Sequence, residues 1–165
     1  VRNQKDFAAG HIPGSIFIGI DGGFAPWVGA LIGDIQQPIL LVTPVGREEE
    51  TITRLSRVGF DNTIGTLNGG FSSWEKSGKE IDKVDSISAD IFKNNIDENN
   101  PIFDVRKPNE YISEHIPQAK NTSLDFINEH LNEFPEKENF YIHCAGGYRS
   151  MIAYLFGLSA LGVPS

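Results

Sequence analysis

The single cysteine of the chain stands in the stretch HCAGGYRS, residues 143–150. An apolar run, NFYI, precedes it, and another, MIAYLFGLSAL, follows it. This pattern predicts a strand ending at His143 and a helix beginning near Arg149–Ser150. Cys144 then opens the strand-to-helix turn, where open parallel sheets place their active crevice. Gly146 and Gly147 can take positive φ and carry no Cβ, so backbone N–H groups can curl inward. The helix N-terminus points at the same space, and Arg149 is expected to face it. Such surroundings lower a thiol pKa from about 8.5 and favour the nucleophilic thiolate. A bound anionic group would share this nest, lined by Ala145, Gly146, Gly147, Tyr148, Arg149 and Ser150. Arg149 either binds the anionic end of a substrate or braces the loop. Tyr148 is expected on the rim. A lone cysteine is more often a small buried residue. Here a glycine pair, an arginine and a helix start converge on a strand end, which favours the reactive reading. His143 adjoins the nucleophile, but strand alternation turns it away, so it reads as structural.

The elements around this loop occur twice. VRNQKDFAAGHIPGSIFI (1–18) aligns with VRKPNEYISEHIPQAKNTSL (105–124). The matched pairs include Val1/Val105, Arg2/Arg106, Asp6/Glu110, Phe7/Tyr111, His11/His115, Ile12/Ile116 and Pro13/Pro117. QPILLVT (37–43) then matches ENFYIHC (138–144), and TRLSRVGF (53–60) matches FGLSALGV (156–163). The offset slips by two between these blocks, which predicts a longer strand-to-helix loop in the second copy.

PIFDV (101–105), NFYIHC (139–144) and ILLVT (39–43) read as buried strands of parallel sheets. SLDFINEHLNEF (123–134) reads as a helix with Leu124, Ile127, Leu131 and Phe134 on one face. EEETITRLSRVG carries Glu48–Glu50 in its first turn and ends on Gly59. Ser88 with Asp90 marks another helix start. Strands alternating with helices imply three-layer α/β/α domains with parallel sheets. The polar stretch KSGKEIDKVDSISAD (76–90) joins the copies, giving expected domains 1–82 and 83–165. Each copy lacks a counterpart of a segment the other has at the chain ends. Both domains are therefore expected to be incomplete within these 165 residues, and the exposed sheet edges to be covered by other segments.

Composition narrows the functional classes. Net charge is −8, and no basic residues cluster, which argues against a nucleic-acid or anionic-membrane partner. No run approaches the roughly 18 apolar residues of a membrane span. One cysteine excludes an internal disulfide and fits a reducing compartment, most simply the cytoplasm. The four histidines, His11, His115, His130 and His143, show no metal-ligand spacing. Neither a metal nor an organic cofactor is expected in this chain.

With these residues in view, the chain resembles the rhodanese superfamily in a tandem arrangement. CAGGYRS is similar to the family's C-x-x-G-x-R-S loop. Asp104, Val105, Arg106, Glu110, Tyr111, His115, Ile116 and Pro117 resemble its D-V-R…E-Y…H-I-P block. Gly69, Gly70, Phe71 and Trp74 resemble its GG-F-x-x-W block. The resemblance implies a sulfurtransferase in which Cys144 takes sulfane sulfur from thiosulfate or a low-molecular-weight persulfide. A cysteine persulfide then passes sulfur to a thiophilic acceptor such as a thiol or cyanide. Asp104, Arg106 and His115 recur in the family for reasons of fold. In the first copy Thr43 aligns with Cys144, its loop TPVGREEE is expected to be shorter, and Glu48–Glu50 crowd it with negative charge. The first domain thus reads as a module without the nucleophile.

AAGHIPGSIFIGIDGGFAPWVGALI and the inactive-then-active order are also similar to the C-terminal half of metallo-β-lactamase/persulfide dioxygenase–rhodanese fusions. That likeness implies an N-terminal metallo-hydrolase domain as a partner, with any metal located there. Two rival readings bear on the same loop. Cysteine phosphatases resemble C-x5-R, and the spacing here is C-x4-R, narrower than an oxyanion such as phosphate wants. A persulfide sensor or interaction module would keep the cysteine but not turn over.

Overall fold

The computed structural model describes residues 1–161 except 96, 98, 136 and 137. The chain divides into two compact units, Val1–Lys83 and Val84–Ser165.

The first unit begins with α1 (Gln4–Ala9), whose first turn is capped by the Asn3 side chain accepting from the Lys5 N–H at 2.8 Å. Next come α2 (Phe24–Leu31), β1 (Ile39–Leu41), α3 (Glu48–Ser56), β2 (Thr63–Thr66) and α4 (Gly70–Lys76). β1 and β2 pair in parallel, as a strand–helix–strand connection requires. Phe7, Phe17, Ile20, Phe24, Val28, Leu55 and Phe60 fill the core. α3 carries Glu48–Glu50 in its first turn and Arg54 in its last, each matched to the helix dipole. Gly59, at φ +89°, turns the chain out of the following turns, a conformation that favours glycine.

The second unit runs α5 (Ala89–Asn95), β3 (Ile102–Asp104), α6 (Pro108–Ser113), β4 (Ala119–Asn121), α7 (Ile127–His130), β5 (Tyr141–His143) and α8 (Tyr148–Leu161). Ser88 precedes α5, and its hydroxyl accepts from the Ile91 N–H at 3.3 Å. The sheet is parallel with order β4-β3-β5, so β3 is central and buried throughout. Register aligns Asp104 with Asn121 on one side and His143 on the other. The strand ends that precede the Cys144 turn are therefore level. Leu124, Ile127, Phe134, Ile152 and Leu155 pack with Ile102 and Phe103 in the core.

The repeat is visible in individual bonds. Val105 N–H donates to the His143 carbonyl (3.1 Å), and Leu124 N–H to the Val105 carbonyl (3.2 Å). Val1 nitrogen donates to the Val42 carbonyl (3.0 Å), and Ile20 N–H to the Val1 carbonyl (3.4 Å). Phe7 stacks on His11 at 4.4 Å and Tyr111 on His115 at 3.9 Å between ring centroids. Arg2 and Arg106 donate to the carbonyls of Gly10 and Glu114. These paired residues brace the same turn in both units.

Two sequence expectations need correction. The helix expected over 123–134 is broken into a 3-10 turn (Leu124–Phe126), α7 and a second 3-10 turn (Leu131–Glu133). Phe126 (φ −124°, ψ 21°) and His130 (φ −118°, ψ 6°) leave helical backbone, yet Leu124, Ile127 and Phe134 still reach the core. The loop before α3 is not the shorter one. Gly46 (φ +86°) and Gly147 (φ +82°) both stand two residues or fewer before their helices. The slip in offset lies along the helix: Thr53 stands five residues after the start of α3 and Phe156 eight after the start of α8, while the loop before α8 is one residue shorter. Gly146 and Gly147 are both able to take positive φ, and of the two Gly147 does so.

Candidate active site

β5 delivers Cys144 to the end of the sheet, and Ala145–Gly147 turn the chain into α8. The turn brings the Gly147 N–H back to Cys144 Sγ at 3.2 Å, and the positive φ of Gly147 leads the chain on into α8. Ser150, one turn into the loop–helix junction, places its hydroxyl 3.6 Å from the same sulfur. Here the thiol donates to that hydroxyl, and the hydroxyl donates to the Gly147 carbonyl at 3.1 Å; once the thiol ionises, the hydroxyl can turn to donate to the sulfur. Cys144 is half-buried, and Ala145, Gly146 and Gly147 are exposed, so the sulfur can be approached from solvent.

Burial pushes the Cys144 thiol up, because the thiolate loses hydration. The Ser150 hydroxyl and the N–H groups of Ser150, Gly146 and Gly147 outweigh this and hold it below its ordinary value. The expected nest is thus built mainly of a hydroxyl and backbone dipoles.

Of the two roles expected of it, a bracing contact is the one the structure shows for Arg149. Its guanidinium forms a two-pronged bridge to Glu110 on α6, with Nη1–Oε2 at 2.6 Å and Nη2–Oε1 at 2.9 Å. Glu110 also accepts the Lys107 N–H at 3.1 Å. The Arg149 hydrogen bond, first among several causes, brings the Glu110 carboxyl down to about 2. Glu110 in turn is the main reason Arg149 is held above its usual range, with the Cys144 thiolate a smaller one. Tyr148 is half-buried at the first position of α8.

Below the loop, Asp104 is fully buried and chelated by Arg106: Nε–Oδ1 2.9 Å, Nη2–Oδ2 2.6 Å, and Arg106 N–H to Oδ1 3.0 Å. Burial raises the Asp104 carboxyl, but the Arg106 hydrogen bonds prevail and hold it below its usual value. The His143 ring faces this pair, with Nε2 3.8 Å from Asp104 Oδ2 and no hydrogen bond made by that buried nitrogen. Burial lowers the His143 pKa, only partly opposed by Asp104. Among the described residues, no group of three or more His, Cys, Asp and Glu side chains is placed to hold a metal ion.

Sequence reasoning missed the Glu110–Arg149 bridge and the contact of Ser150 with sulfur. The two bridge residues are 39 apart, and only the repeat, with Asp6 at the place of Glu110, hinted that an acid is wanted there. In the first unit the matching loop holds Thr43, 1% exposed, with its Oγ1 lacking a hydrogen-bond partner among the described residues. The crowding by glutamates is partly relieved: Glu50 pairs with Arg47 (2.8 Å) and Arg54 (2.7 Å), and Arg47 also reaches Asp21 (2.7 Å).

A family model described as "Rhodanese-like domain" matches residues 1–77 and again residues 88–164. Over 81 residues, 48% of the chain, the sequence is 35% identical to the Bacillus subtilis (strain 168) protein named "Putative sulfur carrier protein YrkF". The match covers 44% of that protein. A crystal structure of thiosulfate sulfurtransferase from Pseudomonas aeruginosa aligns at 17% identity with a TM-score of 0.42, over 100% of this chain and 39% of that one. The chain thus spans less than half the length of either relative.

Proposed function

The chain belongs to the rhodanese-like domain family, with one such domain in each half, and from that premise we propose that it transfers sulfane sulfur through Cys144. The observation that carries this reading is the Cys144 sulfur ringed by the Gly147 N–H at 3.2 Å and the Ser150 hydroxyl at 3.6 Å. The N–H, and the hydroxyl once it turns from the Gly147 carbonyl to the ionised sulfur, favour the thiolate. They would equally hold the terminal sulfur of a persulfide, which also carries negative charge.

The thiolate attacks the outer sulfur of thiosulfate or of a low-molecular-weight persulfide. A new S–S bond forms to Cys144, and the donor's S–S bond breaks. Its electron pair leaves with sulfite or with the donor's thiolate. In the second half-reaction a thiol or cyanide attacks the terminal sulfur, and the Cys144 thiolate leaves. Both steps are exchanges at sulfur, so they call for neither metal nor organic cofactor. A compartment that keeps thiols reduced, such as the cytoplasm, suits this cycle. Ala145, Gly146, Gly147, Tyr148 and Ser150 form the binding rim in this reading, and Arg149 braces it. The likeness to fusion proteins adds a metallo-hydrolase domain upstream as a partner, which would hold any metal itself.

A second reading has one specific support. The relative matched at 35% identity is named a sulfur carrier. As a carrier, Cys144 would accept sulfur and release it only to a partner protein.

Mass spectrometry after brief exposure to thiosulfate or glutathione persulfide tests both readings. A gain of about 32 Da, removed by cyanide and absent in Cys144→Ser, is expected. Repeated release to small thiols or cyanide marks a transferase, whereas a stable adduct marks a carrier. Labelling that survives Cys144→Ser would overturn the mechanism.

A further inference from the structure

The loop's only guanidinium is already occupied. Arg149 gives two hydrogen bonds to Glu110, at 2.6 and 2.9 Å, and is mostly buried against it. Arg106, the next cation, is chelated by Asp104 at 2.6–3.0 Å. These four residues interact with one another electrostatically: Arg106 acts on Glu110, and Arg149 on Arg106. Two acids and two arginines cancel. The residues from Ala145 to Tyr148 and Ser150 carry no charge. What remains to attract a donor is the Gly147 N–H and the Ser150 hydroxyl beside the sulfur, next to a guanidinium that also acts on Cys144 but whose charge Glu110 offsets. Such a site stabilises one negative charge at one atom. It offers no net field to a compact dianion.

We infer that Glu110 is a specificity-determining residue, which by neutralising Arg149 makes the Cys144 site select organic persulfides over thiosulfate. This rests on Cys144 being the sulfur acceptor. Thiosulfate brings two negative charges within one bond of the sulfur under attack. An alkyl persulfide such as that of glutathione keeps its carboxylates on a remote peptide, and its outer sulfur arrives as S–H. The transfer is the exchange given above. The Cys144–sulfur bond forms as the donor's S–S bond breaks, and the electron pair departs on sulfite or on glutathione thiolate. Freeing Arg149 would place a full positive charge beside the loop, to the advantage of the dianion alone.

The test uses the whole chain and measures the second-order rate of Cys144 persulfidation by thiosulfate and by glutathione persulfide. Each rate is divided by that of the same donor with free cysteine. The wild type should favour glutathione persulfide. Glu110→Gln keeps one side-chain acceptor, as glutamine does at this helix position, and removes the charge together with one of the two oxygens that Arg149 uses. It should raise the normalised thiosulfate rate about tenfold, the scale of one added charge contact in a partly solvated site, with less than about a twofold change for the persulfide. In Glu110→Gln/Arg149→Gln the thiosulfate gain should vanish, a coupling that a merely structural role would not produce. A wild type that favours thiosulfate overturns the inference without any variant. So does an unchanged donor ratio in Glu110→Gln, or an equal loss with both donors, and each of these leaves Cys144 as acceptor. No labelling by either donor in the wild type overturns this inference together with the transfer reading.

Discussion

Ser150 is the residue on which the reactivity of Cys144 turns most directly. Burial alone would hold the thiol protonated, and the hydroxyl at 3.6 Å is the largest of the opposing contributions. The group's pKa lies below its ordinary value in the folded protein, so thiolate is present at lower pH than for a free cysteine. Ser150→Ala removes a stabiliser of the charged form, and the pKa moves back up. Alkylation of Cys144 at pH 7 should slow by about three- to tenfold, the worth of one hydrogen bond to a charged group. The pH profile of the rate should shift to higher pH. A profile that does not move would assign the lowering to the backbone N–H groups alone. His143 carries a different pH dependence. Burial depresses its folded pKa, so the unfolded chain takes up the proton more readily. Stability of the second unit should therefore be lost as pH falls below about 6.5, the unfolded histidine value, towards the lower folded one. Thermal unfolding between pH 7 and pH 5 should show that loss, and His143→Asn should lessen it.

At the scale of elements, the strand–turn–helix unit depends on one backbone conformation. Gly147 sits at φ +82° where α8 starts, and its N–H lies on the sulfur at 3.2 Å. A Cβ there strains the backbone, so Gly147→Ala should lower stability by about 1–2 kcal/mol. It should also slow Cys144 persulfidation more than the stability loss explains, because the nest donor moves. Denaturant unfolding together with labelling rates would separate the two effects. This element was largely legible in sequence: the apolar runs fixed the strand and the helix, and the glycines marked the turn. Which glycine takes the left-handed conformation was not legible, because both are able to. The helix over 123–134 shows a second limit. Of the four apolar positions that the spacing puts on one face, Leu124, Ile127 and Phe134 are buried and Leu131 is only half-buried, and three short turns present them as well as one helix does. Periodicity reports which side chains go in, not the winding that delivers them. The Arg149–Glu110 bridge was illegible for a third reason: it joins α8 to α6 across 39 residues, and only the fold brings them together.

Across the whole molecule, the repeat predicts that the first unit keeps the architecture of the loop while lacking its chemistry. Gly46 and Gly147 share nearly the same φ, and each stands just before a helix. The offset between the copies was legible, but where the slip falls was not, since sequence alignment alone cannot tell a longer loop from a longer helix. The decisive difference is Thr43 in place of Cys144. Its side chain is almost wholly buried, and its hydroxyl has no hydrogen-bond partner among the described residues. An unpaired buried hydroxyl costs about 1–3 kcal/mol relative to solvent. Thr43→Val keeps the shape and removes that group. The first unit should become more stable, by up to about 1 kcal/mol once imperfect packing of the added methyl is allowed for. Because the two units are separate cores, unfolding should be followed by probes of each, such as hydrogen exchange at β1 and at β3, rather than by a single midpoint. Persulfidation of Cys144 should be unchanged. Exchange at β1 that speeds up in Thr43→Val would mean that the hydroxyl has a partner after all. A fall in Cys144 labelling would mean that the first unit contributes to the site in the second.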